Sequence, residues 1–235
     1  MSLPPFAFTA SLFAALCGSG ISAAAQEAFF EPFDTLDRGR WMRSDGWSNG
    51  DWMNCEWSRD AARVTDGVLT LEVRQGPGGL ICGELQSTAT YGYGTYEVRM
   101  RTGAGSGLNA AFFTYIGPVH GRAHHEIDIE VLLKDPGVAT FNTFFGGAPY
   151  SGRAGPLASA SDAAFQSYGF TWAPDGITWF VNGTPIHRTA PDAPIPEPPQ
   201  KIYTSLWSSA SFPDWMGPFA PEALPSRMMV DWLSL

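Results

Sequence analysis

The segment that decides the fold is His124-His125-Glu126-Ile127-Asp128-Ile129-Glu130-Val131-Leu132. Acidic and aliphatic side chains alternate along it. A period of two is the pattern of a β-strand, because successive side chains of a strand point to opposite faces. The three acids therefore share one face and the three aliphatic residues share the other. We expect the aliphatic face to lie in a core between two sheets and the acidic face to point outward.

The same alternation recurs from end to end and predicts about a dozen short strands. The clearest are Val68–Val73, Gly94–Arg101, Phe112–Tyr115, Glu126–Leu132, Thr140–Phe145, Tyr168–Trp172, Ile177–Val181, Pro185–Arg188, Ile202–Trp207 and Met228–Leu233. Asn182-Gly183 stands between two of these strands and is a strong hairpin signal. Helical periodicity is weak throughout. The pattern predicts one all-β domain, a β-sandwich or jelly roll.

Composition narrows the function classes. The 235 residues carry a formal net charge of −9, and nine of them are Trp. An acidic surface argues against nucleic acid and against an anionic membrane surface, since both need a basic face. The Pro-rich stretch Pro191–Pro199 resembles a linker, but too few residues follow it for a second domain. We interpret it as a surface loop.

Residues 1–25 predict a secretory signal peptide. They contain no charged side chain, and a short apolar run over Pro5–Cys17 leads to Ala23-Ala24-Ala25, an A-x-A-type cleavage pattern. The alternative is a disordered cytosolic tail. Residues 26–235 would then form a secreted domain, extracellular or periplasmic. That domain retains two cysteines, Cys55 and Cys82, which in an exported protein favour a disulfide over two buried thiols.

The three acids Glu126, Asp128 and Glu130 suggest chemistry. Like charges about 7 Å apart on one face repel and raise the pKa of at least one carboxyl. A glycosidase needs such a difference, with one carboxylate ionised as nucleophile and another protonated as general acid. At about 3.3 Å rise the outer Cα atoms lie about 13 Å apart, and inward-leaning side chains approach the separation of a retaining enzyme, about 5–5.5 Å. A solvated acidic face and a calcium site are the alternatives.

Further motifs carry a family resemblance. In chain order they are Trp41–Trp57 (WMRSDGWSNGDWMNCEW), Cys82-Gly83-Glu84, Tyr91–Met100 (YGYGTYEVRM), Phe112–Pro118 (FFTYIGP), Glu126–Glu130 (EIDIE), Phe141-Asn142, Trp172, Ile177–Gly183, Leu206-Trp207 and Asp231-Trp232. On these motifs the chain from Phe33 to Leu233 resembles glycoside hydrolase family 16. Within that family it resembles the bacterial lichenase-like branch and the related exopolysaccharide endo-β-glycanases.

The resemblance implies a concanavalin-like jelly-roll β-sandwich of two antiparallel sheets with an open concave cleft. It implies retaining endo-hydrolysis of β-1,3-1,4-glucan or a related bacterial exopolysaccharide. Glu126 would be the nucleophile, Glu130 the general acid/base, and Asp128 a support for Glu126. The spacing E-I-D-I-E is that of the lichenase side of the family. The paired cysteines match the family's disulfide, and catalysis would need no cofactor.

The resemblance also implies ligand contacts. The residues carried over as substrate contacts are Asn49, Glu84, Phe113, Tyr115, Asn142, Trp207 and Trp215. A structural Ca²⁺ remote from the catalytic strand would be held by the backbone oxygens of Pro32 and Gly67 and by the carboxylate of Asp231. Ligation by oxygen alone suits this hard cation.

Five positions depart from the family pattern. His124 and His125 replace a Trp and an Asp, and the others are Gln86 for Arg, Ser205 for Asn and Phe144 for Tyr. Alternation places His124 on the cleft face and His125 beneath the sheet. We expect His124 to supply hydrogen bonding in place of stacking at one sugar subsite. A metal site made of His120, His124 and His125 is disfavoured, because the side chains of His124 and His125 point apart.

Alternative functions are a transglycosylase, which passes the same covalent intermediate to a sugar, a non-catalytic lectin-like β-glucan-binding protein and a structural matrix protein. The acid triplet counts against the last two. A neutral glucan is favoured over a strongly anionic polymer by the charge of the protein. We expect a monomer.

Overall fold

The structure, a computed structural model, describes residues 28–150 and 152–235. The predicted signal peptide lies outside these residues. The described strands are β1 (Phe30–Glu31), β2 (Trp41–Arg43), β3 (Glu56–Trp57), β4 (Ala62–Thr65), β5 (Val68–Gly76), β6 (Gly79–Ser87), β7 (Gly94–Thr102), β8 (Leu108–Ile116), β9 (His125–Leu132), β10 (Val138–Phe145), β11 (Ala148–Pro149), β12 (Arg153–Pro156), β13 (Gln166–Ala173), β14 (Gly176–Val181), β15 (Thr184–Arg188), β16 (Lys201–Ser208) and β17 (Ser226–Ser234).

In the described part of the chain, helical structure is confined to single turns. An α-helix, α1, covers Pro213–Met216, and three 3₁₀ turns cover Arg59–Ala61, Pro118–His120 and Pro221–Ala223. Across residues 28–150 and 152–235, no helix has the length and apolar character needed to cross a bilayer.

The strands form two packed layers, as predicted for a jelly roll. The first, here called the cleft sheet, has the order β2-β6-β16-β8-β9-β10-β12, with β11 also on β10. The second, the outer sheet, has the order β4-β5-β17-β7-β13-β14-β15, with β1 on β17. These pairings are antiparallel. The short β3 differs from them because it runs parallel to β6.

Strand β6 belongs to both sheets. Its first half pairs with β5, and its second half, from Gly83 onward, pairs with β16. At this crossing a Cβ on residue 83 would lie 2.2 Å from the carbonyl oxygen of Ala61, so only glycine fits at this position. The neighbouring Cys82 forms a disulfide with Cys55, which confirms the predicted pair.

The core lies between the sheets and is aromatic-rich. Ile127, Ile129 and Val131 of β9 are fully buried, as their alternation predicted. Trp172 and Trp179 of the outer sheet are also buried in this core. The aliphatic face of β9 thus packs inside the sandwich, which leaves its acidic face toward the cleft.

The ten strands predicted from alternation are all present, most of them one to four residues longer. The hairpin at Asn182-Gly183 is confirmed, with both residues at positive φ (49° and 72°), the conformation of a type I′ turn. The strands that alternation did not indicate are β1, β2, β3, β4, β6, β11 and β12.

Candidate active site

A cleft of about 820 Å³ lies on the cleft sheet. Its side chains come from β2, β3, β6, β8, β9 and β16, from the loop between β2 and β3 and from the 3₁₀ turn Pro118–His120. The residues lining it are Met42, Trp47, Ser48, Asn49, Trp52, Trp57, Glu84, Gln86, Phe113, Tyr115, Val119, His120, Glu126, Asp128, Glu130, Lys201, Tyr203, Ser205 and Trp207. The three predicted acids are thus in one cleft together with most of the predicted sugar contacts.

Strand β9 sets the acids in register. It pairs without a bulge with β8 along its whole length and with β10 from His125 to Glu130. Glu126 lies opposite Tyr115 and Phe144, and Asp128 lies opposite Phe113 and Asn142. The regular pairing keeps all three acids on the cleft face, as the spacing predicted.

Asp128 is the most deeply buried of the three acids, with 4% of its surface exposed. Burial raises its pKa well above the ordinary value, and the charges of Glu126 and Glu130 and a hydrogen bond with Glu126 raise it further. Its backbone carbonyl accepts a hydrogen bond of 3.0 Å from Trp179 Nε1, which reaches across the core from β14. Asp128 is therefore held by Trp179 through its backbone and hydrogen-bonded to Glu126 through its side chain.

Glu130 is held by two amides. Asn109 Nδ2 donates to Oε1 at 2.7 Å, and Asn142 Nδ2 donates to Oε2 at 2.8 Å. Burial raises the pKa of Glu130 to about 7; the charge of Glu126 also raises it, while the two amide donors lower it. Near neutral pH this carboxyl exists in both protonation states, as a proton donor and acceptor requires.

Glu126 is paired with His124. The Nε2 atom of His124 lies 2.6 Å from Glu126 Oε2. The imidazole stacks on Phe144, with ring centroids 5.0 Å apart, and meets Tyr115 edge-on. His125 is buried on the opposite face against Phe145, and burial lowers its pKa. The faces of both histidines agree with the prediction.

A second buried carboxyl, Glu84, lies on β6 away from the triplet. Ser44 Oγ donates to Glu84 Oε1 at 2.5 Å, and Gln86 Nε2 donates to Ser44 Oγ at 3.0 Å. Lys201 Nζ donates a hydrogen bond to Gln86 Oε1 at 3.4 Å. Burial raises the pKa of Glu84 to about 7, although the Ser44 hydrogen bond lowers it.

Aromatic rings extend the cleft at one end. Trp207 lines the cleft and meets Trp52 edge-on at 5.2 Å. Trp215 lies outside the cleft lining, in α1; its ring centroid is 6.1 Å from that of Trp207, and 37% of its surface is exposed. Phe212 packs on Trp215. Exposed rings such as these suit the apolar faces of sugars.

The remaining predicted contacts take different places. Phe113 is stacked on Tyr203 at 4.9 Å. Asn49 lines the cleft, and its Oδ1 accepts from Trp57 Nε1 at 2.9 Å. Ser205 is buried on the cleft floor opposite Glu84. Asn142 donates a hydrogen bond to Glu130 and does not itself line the cleft.

Several site residues were missed from the sequence. They are Ser44, Trp47, Trp52, Asn109, His120, Lys201 and Tyr203. Asn109 is the most consequential because it holds Glu130. A single Asn in the apolar run of β8 carries no local signal; only the pairing of β8 with β9 brings it to Glu130.

The predicted calcium ligands meet at one end of the outer sheet. Pro32 follows β1 and Gly67 precedes β5, and both strands pair with β17 on either side of Asp231, where its pairing with β7 is irregular. The donor set is all oxygen. The Asp231 carboxylate also forms an ion pair with Arg99, which a cation there would have to share.

The profile described as Glycosyl hydrolases family 16 matches residues 49–234. The chain is 40% identical over 208 residues to the Endo-1,3-1,4-beta-glycanase ExoK of Rhizobium meliloti, covering 87% of this chain and 77% of that protein. It is 39% identical over 226 residues to a Beta-glucanase of Bacillus amyloliquefaciens, covering 94% and 93%.

A solved structure of Bacillus licheniformis beta-glucanase superposes with a TM-score of 0.84 at 34% identity, covering 89% of this chain and 97% of that one. Sequence profile, relatives and backbone thus agree over most of the length. The chain belongs to glycosyl hydrolase family 16.

Proposed function

We propose that this protein is a secreted retaining endo-β-glucanase that hydrolyses β-1,3-1,4-glucan or a related bacterial exopolysaccharide. One observation carries the proposal: Glu126 and Glu130 share the cleft face of β9 but lie in different electrostatic surroundings. Glu130 is buried with its pKa raised to about 7, whereas Glu126 is paired with His124 and bonded to Asp128. One acid and one nucleophile in one cleft are what the reaction needs.

In the first step, a Glu126 carboxylate oxygen attacks the anomeric carbon. The bond from that carbon to the glycosidic oxygen breaks, and the leaving oxygen takes the proton of Glu130. In the second step, water attacks the anomeric carbon and gives a proton to the Glu130 carboxylate. The bond to Glu126 breaks, its electron pair returns to the carboxylate, and the configuration of the sugar is retained.

The neighbours of the two glutamates have separate parts in this mechanism. Asn109 and Asn142 orient Glu130 and keep its pKa from rising further, so that it can also accept a proton in the second step. The hydrogen bond between Asp128 and Glu126 limits charge repulsion in the triplet. Trp207 and Trp52, which are in contact at one end of the cleft, would pack on sugar rings there.

The names of the relatives support β-glucan as the substrate. ExoK is named as an endo-1,3-1,4-beta-glycanase and the Bacillus relatives as beta-glucanases. A neutral or weakly charged glucan fits a protein of net charge −9. An open cleft lined along its length favours cutting inside a chain over trimming its end.

The test is product analysis on mixed-linkage β-1,3-1,4-glucan, with Glu126→Gln as control. Wild type should release short oligosaccharides whose first-formed anomer is β, and Glu126→Gln should release none. Azide added to Glu126→Ala should give an α-glycosyl azide, because it enters from the face that the nucleophile left. Folded wild type that cleaves neither this glucan nor a bacterial exopolysaccharide would contradict the proposal.

The same experiment separates the alternatives. Products longer than the substrate would identify a transglycosylase. Binding without cleavage would identify a lectin-like protein. The two hydrogen bonds that hold Glu130 argue against that outcome, because a protein that only binds glucan does not need them. We also propose a monomer, to be checked by light scattering.

We further propose a structural Ca²⁺ at Pro32, Gly67 and Asp231, where it would tie β1 to β17 and take no part in the reaction. Chelation should lower the melting temperature of wild type. Asp231→Asn should melt at the same temperature with and without chelator. Equal melting of wild type in both conditions would remove the ion from the proposal.

A further inference from the structure

His124 does not stand free in the cleft as a sugar contact would. Its ring is held between Phe144 and Tyr115, and its Nε2 atom is 2.6 Å from Glu126 Oε2. Only 29% of the imidazole side chain and 21% of the Glu126 side chain are exposed. The two flanking rings fix the plane of the imidazole, so the contact with the carboxylate is directed.

From this geometry we infer that His124 is a positioning residue that acts on the nucleophile Glu126 and assists its departure from the glycosyl-enzyme. The inference rests on the proposed function and assigns His124 to the reaction instead of to a sugar subsite. A carboxylate oxygen has two acceptor positions, so Oε2 can keep this hydrogen bond throughout both steps.

The two steps respond oppositely to such a donor. A hydrogen bond stabilises the carboxylate anion more than the neutral ester of the intermediate. It therefore restrains the attack of Glu126 in the first step. It assists the second step, in which the carboxylate leaves with its electron pair. His124 should thus speed hydrolysis of the intermediate more than its formation.

The groups around the pair identify the partner of the imidazole. The titratable groups nearby are Tyr115 from β8, Tyr203 from β16, His125 on the opposite face, and Asp128 and Glu130 of β9. From β10 the facing side chain is Phe144, which carries no charge. Arg122, two residues before His124, is exposed. Glu126 is therefore the anionic partner of the imidazole.

The test uses His124→Phe, which keeps a ring between Phe144 and Tyr115 but removes the donor. On an aryl β-oligoglucoside with a good leaving group, kcat should fall about tenfold, the effect of one hydrogen bond to a charged group. The KM should fall with it, leaving kcat/KM within about threefold, because the intermediate accumulates. A burst of one aryl group per enzyme should appear.

Two further variants sharpen the test. His124→Gln retains a donor near the Nε2 position and should restore most of kcat. The acid limb of kcat/KM should move to higher pH in His124→Phe, because the anionic nucleophile has lost a donor. His125→Phe changes the adjacent histidine on the other face and should leave the acid limb at its wild-type pH. Equal losses of kcat and kcat/KM in His124→Phe, with an unmoved acid limb, would overturn the inference.

An NMR measurement decides the matter without activity. The Nε2–H proton of His124 should give a far-downfield signal in wild type, as a proton held by a carboxylate does, and the signal should be lost in Glu126→Gln. An unchanged signal would show that the two side chains are uncoupled and would overturn the inference. Lack of glucan cleavage by wild type, with the coupling present, would instead count against the proposed function alone.

Discussion

Strands β9 and β6 each carry a glutamate with a raised pKa into the same cleft, but the two side chains have different hydrogen-bond partners. Burial raises the pKa of both Glu130 and Glu84 to about 7. Glu130 accepts from two amides and has Glu126 and Asp128 as strand neighbours. Glu84 accepts from one hydroxyl, that of Ser44, and lies apart from the acid triplet.

The difference shows that a raised pKa marks burial and does not by itself assign a catalytic role. Chemistry requires a second reacting group in the same cleft, and on β9 Glu126 accompanies Glu130 there. On β6 Glu84 has no partner carboxyl, and its side chain is suited to holding a sugar hydroxyl by hydrogen bonding.

The largest expected effect separates the two glutamates directly. Glu130→Gln should lower kcat by about 10²–10⁴-fold, the usual contribution of general acid–base catalysis. The same substitution at Glu84 should act mainly on KM, by about tenfold or less. Steady-state kinetics on β-glucan measures both, with circular dichroism as the folding control. Equal losses of kcat in both variants would erase the distinction between the strands.

The next effect is on stability and is tested at Glu84. Because its folded pKa is raised, the folded state binds the proton more tightly than the unfolded state. That stabilisation is fully present below about pH 4.5 and is lost as pH rises through about 7, a change of about 3 kcal/mol.

Glu84→Gln does not titrate, so its free energy of unfolding should fall less between pH 4.5 and 7 than that of wild type. Urea unfolding at both pH values measures the difference. A variant whose stability falls as steeply as wild type would show that Glu84 is ionised in the folded protein.

A smaller effect tests the amides around Glu130. Asn109→Leu removes the donor that lowers this pKa most, so the acid form should persist to higher pH. The basic limb of the kcat/KM profile should then move up by about one pH unit, the equivalent of one hydrogen bond to a carboxylate. Asn142→Leu should move it less. A downward shift in either variant would contradict the role given to the amides.

The smallest effect lies at the end of the cleft. Trp215→Ala should raise KM for long glucans about threefold, since an exposed ring gives only modest stacking energy. It should leave kcat and the melting temperature near wild type. A large loss of stability would mean that the Trp215 ring stabilises the fold by packing on Trp207 and does not bind sugar.

The two strands also differ in how far the sequence predicted them. Strand β9 has one face in the core and one in the cleft, so its alternation is visible in the sequence. From Cys82 to Ser87, β6 is buried on both faces and alternation vanishes. Its Glu84 was identified through the family resemblance, but Ser44, which holds it, was not.

Side-chain partners were harder to predict than faces. Alternation placed His124 on the cleft face, yet its contact with Glu126 depends on where Phe144 and Tyr115 hold the ring. Asn109 reaches Glu130 across a strand pairing, at a sequence separation of 21. Such contacts depend on register and rotamer, which a single sequence does not encode locally.

The crossing of β6 from the outer sheet to the cleft sheet at Gly83 has a consequence for how the enzyme unfolds. Because one strand is hydrogen-bonded into both layers, neither layer can melt while the other persists. Heat should therefore abolish activity and β-structure in one cooperative transition. Backbone amides of β9 should exchange with solvent as slowly as those of the outer sheet, so the reacting strand is among the last parts of the molecule to open.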